Sequence, residues 1–300
     1  MKRHVAALLM IGFAAAGCAN AASMDASQSI DVGGVQRTYL LHVPPAVSGR
    51  VPLVLAFHGH GGDGASQERL TGFDALSDRY GFIVAYPDGI DRGWNDGRFP
   101  DAKGPDDLGF AAALQDDLER RYPIDTKRVY ATGFSNGAVF SNYLACNQSN
   151  RIAAIAPVSG SLPVKDVANC HPQRAVSVLE IAGTDDPIMP YRGGTIVLAG
   201  RNRGDVISFD QTAAFWAKNA GCSPSPTSTL LAPVGPADGT SITRGTFSHC
   251  VGGSDVAEYT VTGGGHAWPG GPQYLPGFII GRASNQLDAS QTIVAFLLAH

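Results

Sequence analysis

The 300-residue sequence predicts an α/β protein with a doubly wound, mostly parallel sheet flanked by helices. Strand-like and helix-like patterns alternate along the chain, and Pro52–Phe57 is a nearly continuous apolar run of the kind found in central parallel strands. Hydrophobic residues make up 44% and charged residues 16%, which is typical of a globular domain with a substantial core. We therefore expect one domain over residues 23–300, with no large cap domain.

The individual elements follow from hydrophobic periodicity and turn residues. Leu114, Leu118 and Tyr122, for example, form an apolar stripe along one predicted helix. The predicted strands are Gln36–Val43, Pro52–Phe57, Phe82–Tyr86, Arg128–Thr132, Ile152–Val158, Val176–Ile181 and Val256–Val261. The predicted helices are Ser66–Tyr80, Asp107–Tyr122, Ala138–Ala145, Phe209–Ala220 and Asn285–Leu298.

Two long segments interrupt this alternation. Pro87–Pro105 and Pro187–Gly204 each follow a strand, so both are expected above the carboxyl edge of the sheet, where ligands bind. The Pro- and Ser-rich segment Ser223–Pro236 is expected to be an exposed connection. The first two segments are therefore candidates for loops that shape a substrate site.

Residues 1–22 have the pattern of an export signal. Lys2 and Arg3 precede a short apolar run, Val5–Ala16, that is too short to cross a bilayer. Ala15-Ala16-Gly17-Cys18 resembles a lipobox that would leave Cys18 lipidated, whereas Ala19-Asn20-Ala21 resembles an ordinary cleavage site. We expect an exported protein, either secreted or periplasmic, or an outer-membrane lipoprotein if Cys18 is lipidated.

Charge and cysteine content limit the partners. The net charge of −4 provides no basic field for nucleic acid or an anionic membrane, so a neutral or weakly charged substrate is expected. A membrane contact is expected only through a lipid anchor at Cys18. The four other cysteines are Cys146, Cys170, Cys222 and Cys250. An even number in an exported chain predicts two disulfides, with three possible pairings. A zinc site is disfavoured, because the sequence contains no C-x-x-C pair.

The run Val129–Ala138 has the pattern of a buried strand, a G-x-S-x-G turn and the start of a helix. In this context Ser135 lies on a sharp turn, where residues two before and two after must lack bulk. Gly133 and Gly137 meet that requirement. The pattern therefore predicts Ser135 as the nucleophile of a serine hydrolase.

A serine hydroxyl needs a base, and the base needs an acid to orient it. His266 lies in a glycine-rich loop, Gly263–Gly271, that follows a predicted strand, so it is the candidate base. The acid is expected in Thr184-Asp185-Asp186, directly after the strand that ends at Ile181. We assign Asp186 and keep Asp185 as its rival, because spacing does not separate adjacent aspartates.

An earlier predicted strand ends in the run Phe57-His58-Gly59-His60-Gly61-Gly62. This run can supply backbone N–H donors to a developing oxyanion. We expect the amides of His60 and Asn136 to form this oxyanion hole. A metal bound by His58 and His60 is disfavoured, because no carboxylate or cysteine lies at ligand spacing. Neither a metal nor an organic cofactor is expected.

Aromatic residues near these loops are candidates for binding the substrate. Trp94, Tyr191 and Trp268 are the main candidates, and Phe99 lies in the same loop as Trp94. Asp107, in contrast, is interpreted as the N-cap of a helix that begins at Leu108.

Four motifs together, HGHGG, GFSNG, GTDDPIMPY and GGGHAWPGG, with the four cysteines, resemble the polyhydroxybutyrate depolymerase and feruloyl esterase families of secreted carboxyl esterases. The resemblance covers residues 36–298. It implies an α/β-hydrolase fold and a triad of Ser135, Asp186 and His266. It also implies disulfides joining Cys146 to Cys170 and Cys222 to Cys250.

The sequence departs from these families at two positions. His60 stands where relatives often have cysteine, and Ala182 replaces a frequent histidine. The first departure leaves the backbone donor in place but can alter the acyl pocket.

The resemblance implies an exported serine carboxyl esterase that acts through an acyl-enzyme. The expected substrate is a hydroxycinnamoyl (feruloyl) ester of plant cell-wall polysaccharide. The alternatives are poly- or oligo-3-hydroxybutyrate, acetyl esters of xylan, and acyl transfer to a sugar acceptor on the same fold. In each case the partner is a small-molecule or oligomeric ester.

Overall fold

The computed structural model of the protein describes residues 24–99 and 104–300. The predicted export signal and Cys18 therefore lie outside the described residues. The strands in this part of the chain are β1 (Met24–Val32), β2 (Val35–Val43), β3 (Val51–Phe57), β4 (Ile83–Pro87), β5 (Ile124–Phe134), β6 (Ala154–Val158), β7 (Ser177–Gly183), β8 (Gly194–Leu198), β9 (Arg201–Val206), β10 (Thr227–Leu230), β11 (Ser241–Phe247) and β12 (Val256–Thr262). The α-helices are α1 (Gly64–Thr71), α2 (Phe73–Tyr80), α3 (Asp107–Arg121), α4 (Asn136–Gln148), α5 (Val164–Val167), α6 (Phe209–Asn219), α7 (Gly277–Ile280) and α8 (Ala289–Leu298).

Ten of these strands form one twisted sheet in the order β1-β2-β4-β3-β5-β6-β7-β12-β11-β10. The six central strands, from β4 to β12, are parallel, whereas β1 and β2 at one edge and β11 and β10 at the other are antiparallel. The predicted mostly parallel, doubly wound sheet is confirmed. All parallel strands end at one edge, and the loops leaving that edge meet there.

Each face of the sheet is covered by helices, so strand β3 is buried along its whole length. Leu55 and Phe57 point into the core under α3, α4 and α6, while Val54 and Ala56 point into the core under α2 and α8. This two-sided burial explains why β3 is an uninterrupted apolar run rather than an alternating one.

Four predicted elements differ from the structure. The helix Ser66–Tyr80 is two helices, because Gly72 adopts a left-handed conformation that ends α1. The helix over Asn285–Leu298 begins only at Ala289, where the Asp288 carboxylate accepts from the Gln291 N–H at 2.9 Å. Part of the expected connection at 223–236 is edge strand β10, and the segment at 187–204 contains β8 and the start of β9.

Asp107 is not the N-cap of α3. The cap is Asp106, whose side chain accepts from the Gly109 N–H at 2.8 Å. Asp107 is buried, pairs with Arg37 at 2.7 Å and accepts from the Asn95 N–H at 2.7 Å. Its carboxylate therefore ties β2 and the loop before α3 together.

Two disulfides join Cys146 to Cys170 and Cys222 to Cys250, the pairs that the family resemblance implied. Such bonds form and persist in oxidising compartments. Within residues 24–99 and 104–300, no helix is both long enough and apolar enough to span a bilayer.

Candidate active site

Ser135 occupies a strained turn between β5 and α4. Its backbone lies at φ 56° and ψ −116°, outside the regions that L-residues prefer. The turn is so tight that a Cβ on Gly137 would lie 2.2 Å from the Phe57 carbonyl oxygen. A side chain at Gly133 would likewise meet the Gly137 backbone at 2.5 Å. The two glycines thus allow the strand and helix to approach closely enough to present Ser135 at the sheet edge.

His266 and Asp186 complete a hydrogen-bonded chain with Ser135. The His266 Nε2 lies 2.9 Å from the Ser135 Oγ, and the His266 Nδ1 lies 2.7 Å from the Asp186 Oδ2. The side chains of His266 and Asp186 are only 4% and 1% exposed. When Nδ1 donates to Asp186, Nε2 is left to accept the hydroxyl proton of Ser135.

The structure separates the two adjacent aspartates. The second oxygen of Asp186 accepts from the backbone N–H groups of Ile188 and Met189, both at 2.8 Å, so the carboxylate is fixed toward His266. Asp185 is exposed and its side chain accepts from the Thr184 hydroxyl at 2.9 Å. Only Asp186 therefore reaches the imidazole.

The loop that carries His266 is held by the segment around α7. A Cβ on Gly265 would lie 2.2 Å from the Ile280 carbonyl oxygen, which leaves room only for glycine there. The Tyr274 hydroxyl donates to the His266 carbonyl at 3.0 Å. The Phe134 ring packs against the imidazole, with ring centres 4.9 Å apart. These contacts fix the imidazole beside Ser135.

Two backbone N–H groups beside Ser135 are available to a ligand. In the described chain, neither the amide of His60 nor that of Asn136 has a protein acceptor. The loop that carries His60 is fixed because the Gly61 N–H donates to the Arg92 carbonyl at 2.7 Å. The arrangement can therefore donate two hydrogen bonds to an oxyanion at the serine.

His58 has a structural role in this loop. Its Nδ1 donates to the Gly59 carbonyl at 2.8 Å, and its Nε2 accepts from the Gly89 N–H at 2.9 Å. Burial lowers the pKa of His58, which favours this neutral tautomer. A metal could bind His58 only by displacing one of these loop contacts.

The side chain of Asn136 connects the elbow to the loop after β4. It accepts from the Trp94 N–H at 2.8 Å and donates to the Asp96 carboxylate at 2.6 Å. Asp96 is buried and pairs with Arg98 at 2.7 Å. Arg98 in turn donates to the Arg203 carbonyl on β9 at 2.8 Å. This network positions one wall of the site relative to Ser135.

Two neighbouring cavities share four lining residues: His60, Ser135, Ile188 and Leu198. The first, of about 460 Å³, is mainly apolar and reaches from His266 to the α7 segment; Phe134, Leu70, Tyr274, Leu275 and Ile279 line it. We call it the apolar cavity. The second, of about 280 Å³, carries most of the charged groups; Asp91, Asn95, Asp96, Arg98 and Arg203 line it. We call it the polar cavity.

Of the three main aromatic candidates, only Trp94 lines one of the two cavities. Trp268 is buried in the core, where its Nε1 donates to the Ser290 hydroxyl at 3.0 Å, so it lines neither cavity. Tyr191 also lies outside both cavities, because its hydroxyl bonds to Asp210 and Thr260. Trp94 lines the polar cavity but mainly stacks in the core on Phe140.

Phe99, in contrast, is 47% exposed at the wall of the polar cavity. The remaining wall residues were missed because they carry no motif. Tyr274 and Leu275 lie in an irregular stretch before α7, and Ile279 lies in α7, which is too short to show hydrophobic periodicity. The only available signal was that this segment directly follows the loop of His266.

A Ser-His-Asp arrangement on a strand–turn–helix, at the edge of a doubly wound parallel sheet, defines an α/β hydrolase. The comparison with solved structures agrees with this fold. The chain matches an acetyl xylan esterase from Aspergillus awamori with a TM-score of 0.58 over 81% of this chain and 94% of the other, at 18% identity.

The chain belongs to the esterase PHB depolymerase family, whose sequence model matches residues 37–189. It is 34% identical over 286 residues to NocK, described as an esterase, from Nocardia uniformis subsp. tsuyamanensis, covering 91% of this chain and 82% of that protein. It is 31% identical over 244 residues to feruloyl esterase B of Piromyces equi, covering 77% of this chain but only 42% of that protein. The protein is thus a carboxylic ester hydrolase.

Proposed function

We propose that the protein is an exported serine carboxyl esterase in which Ser135, His266 and Asp186 act as a catalytic triad. One observation carries this proposal: the continuous chain from the Ser135 Oγ through both imidazole nitrogens to the Asp186 carboxylate, beside two available amides. Residues 23–300 would form the single catalytic domain.

In the first step, the Ser135 Oγ attacks the ester carbonyl carbon while its proton passes to the His266 Nε2. The carbonyl oxygen becomes an oxyanion that accepts from the His60 and Asn136 amides. The Asp186 carboxylate stabilises the imidazolium through Nδ1. His266 then donates the proton to the leaving alcohol, and an acyl-enzyme remains on Ser135.

In the second step, water enters where the alcohol has left. His266 removes a proton from the water, whose oxygen attacks the acyl carbon, and the second tetrahedral intermediate uses the same two amides. The proton returns to the Ser135 Oγ as the acid leaves. The triad therefore suffices for proton transfer, and the two amides stabilise the oxyanion.

The apolar cavity supports a hydroxycinnamoyl acyl group. Its volume of about 460 Å³ is in the range of small-molecule sites, and Tyr274, Leu275 and Ile279 offer surfaces against which an aromatic ring can pack. The polar cavity, which Ser135 also lines, then receives the alcohol. The relation to feruloyl esterase B supports a feruloyl ester as the first substrate to test.

A second candidate substrate is a 3-hydroxybutyrate oligomer. The chain belongs to the esterase PHB depolymerase family, and the hydrocarbon part of a 3-hydroxybutyryl group can also pack against an apolar wall. Both substrates would be met outside the cytoplasm. The two disulfides support the predicted export, and lipidation at Cys18 remains part of that proposal.

The test is hydrolysis of methyl ferulate and of 3-hydroxybutyrate oligomers by the mature protein, with Ser135→Ala as control and the released acids separated by chromatography. Release of ferulate that Ser135→Ala abolishes supports the feruloyl esterase. Release of hydroxybutyrate alone would make the protein an oligomer hydrolase. Activity that survives Ser135→Ala would refute the proposed nucleophile.

A further inference from the structure

The polar cavity contains an arginine whose charge no other described residue neutralises. Arg203 lies on β9 and lines this cavity together with Ser135. Its Nε is buried without a hydrogen-bond acceptor, and in residues 24–99 and 104–300 Arg203 makes no ion pair. A guanidinium that lines a cavity without a counter-charge favours a ligand that carries a negative charge.

None of the other described charged groups of the polar cavity neutralises Arg203. Arg98 is paired with Asp96, which also accepts from the side-chain Nδ2 of Asn136. Asp91 lies at the cavity wall but is exposed and forms no ion pair with Arg203. Burial, followed by the charge of Arg203, lowers the pKa of His60, so His60 is not a competing cation.

The backbone around Arg203 is held in place before any ligand binds. Its carbonyl accepts from Arg98, which links β9 to the same network that holds Asn136. The hairpin of β8 and β9 buries Ile196 and Val206 in a small apolar cluster with Met189 and Phe209. A guanidinium on such a fixed support loses less conformational entropy when it binds an anion.

We propose that Arg203 is a specificity-determining residue that binds a carboxylate on the alcohol side of the ester. The guanidinium presents a planar set of N–H donors that matches a carboxylate better than it matches a single hydroxyl. The alcohol side is inferred because the apolar cavity is assigned to the acyl group and the polar cavity is the second cavity that Ser135 lines. This inference rests on the proposed esterase site.

The preferred substrate is therefore an ester of a hydroxy acid whose own carboxylate is free. The chain end of a hydroxy-acid oligomer has this chemistry, as does a sugar acid that carries an acyl group. A neutral alcohol would leave the guanidinium unpaired.

The test compares two probes that differ only in charge, 3-(feruloyloxy)butanoate and 3-(feruloyloxy)butanamide. Their binding is measured by calorimetry on the disulfide-bonded Ser135→Ala protein, where no acyl transfer occurs. We expect the acid to bind about 10- to 100-fold more tightly than the amide, as for a hydrogen-bonded charge. Raising the ionic strength should reduce this ratio.

Arg203→Gln in the same background should bring the acid-to-amide ratio close to one, and Arg203→Lys should retain part of it. Arg201→Gln is the matched control, because Arg201 is exposed on the same strand and lines neither cavity. Thermal unfolding of each variant checks that the hairpin is intact.

Equal binding of acid and amide to the Ser135→Ala protein would overturn the proposal, and so would a ratio that Arg203→Gln leaves unchanged. The first of these results, equal binding of acid and amide, needs no variant at Arg203 to fold. It is also separate from the proposed function, because hydrolysis of methyl ferulate by the unsubstituted protein tests the esterase independently.

Discussion

The loops that carry Ser135, Asp186 and His266 differ sharply from the walls of the cavities beside them. In the loops, backbone atoms approach so closely that a Cβ on Gly137 or Gly265 would overlap a carbonyl oxygen. At the wall of the apolar cavity, in contrast, Leu275 and Ile279 are both 42% exposed, and neighbouring Phe278 is 89% exposed.

This difference separates the reaction from its specificity. The proposed triad needs fixed distances, so its loops are constrained by glycine contacts and buried hydrogen bonds. Parts of the cavity walls are side chains of the α7 segment and of the β8–β9 hairpin, which can vary without disturbing these loops. Substitutions in the loops should therefore abolish the reaction, and substitutions in the walls should change which ester reacts.

The largest effect is expected from Asp186→Asn. The amide cannot stabilise the imidazolium and can favour the wrong tautomer of His266, so kcat should fall about 10³- to 10⁴-fold, as in other triads. The measurement is steady-state hydrolysis of the best ester substrate. Asp185→Asn is the matched control and should retain nearly full activity, and an equal loss in both variants would contradict the assignment.

Gly137→Ala should rank next, through stability rather than chemistry. The new methyl group would lie 2.2 Å from the Phe57 carbonyl and 2.6 Å from that of His58, which forces β3 and α4 apart. We expect a loss of about 3 kcal/mol or more in the free energy of unfolding, measured with urea. Gly277→Ala, where a Cβ meets no atom within 4 Å, should be close to neutral.

Leu275→Ala combined with Ile279→Ala should have a smaller effect that depends on the substrate. Loss of apolar contact in the apolar cavity should raise KM for methyl ferulate about tenfold, with kcat changed less. Phe278→Ala, which removes an exposed ring outside both cavities, is the control. Equal effects on a large aromatic ester and on an acetyl ester would show that this wall does not bind the acyl group.

The smallest effect is a pH dependence of stability that arises far from the cavities. Burial, and then the charge of Asp210, raises the pKa of Glu258 to about 7 from an ordinary value of 4.5. The folded protein therefore holds a proton that the unfolded chain releases, and the free energy of unfolding falls as the pH rises between these values.

Glu258→Gln should weaken that pH dependence, as seen by comparing urea midpoints at about pH 5 and pH 8. Part of the pH dependence should remain, because Glu180 on the adjacent strand is also buried. Burial raises the pKa of Glu180 well above its ordinary value. An unchanged difference between the two midpoints in Glu258→Gln would contradict this account.

The same division between loops and walls explains what the sequence could predict. The parallel strands and the loops of Ser135, Asp186 and His266 were predictable, because buried runs and glycine-rich turns leave a local pattern. The break between α1 and α2 was missed because one left-handed Gly72 looks like a tolerated helix glycine. Edge strand β10 was missed because its four residues are all exposed and polar in pattern.

The cavity walls could not be predicted in the same way. Trp268 and Tyr191 were chosen because large aromatic residues flank the motifs, but tertiary packing uses them elsewhere. Arg203 reaches the site through the course of a hairpin, and Tyr274 through the irregular stretch before α7, neither of which a local pattern encodes. The sequence thus predicted which side chains meet around Ser135, whereas the cavity walls required the assembled fold.

The central claim is that Ser135 is the nucleophile of an acyl-enzyme esterase. The most direct measurement is reaction of the mature protein with a p-nitrophenyl phosphonate ester, followed by mass spectrometry of the digested protein. We predict one phosphonyl group per protein on Ser135, with complete loss of esterase activity and no adduct in Ser135→Ala. Full activity with Ser135 unmodified, or inactivation by an adduct at another residue, would contradict the account.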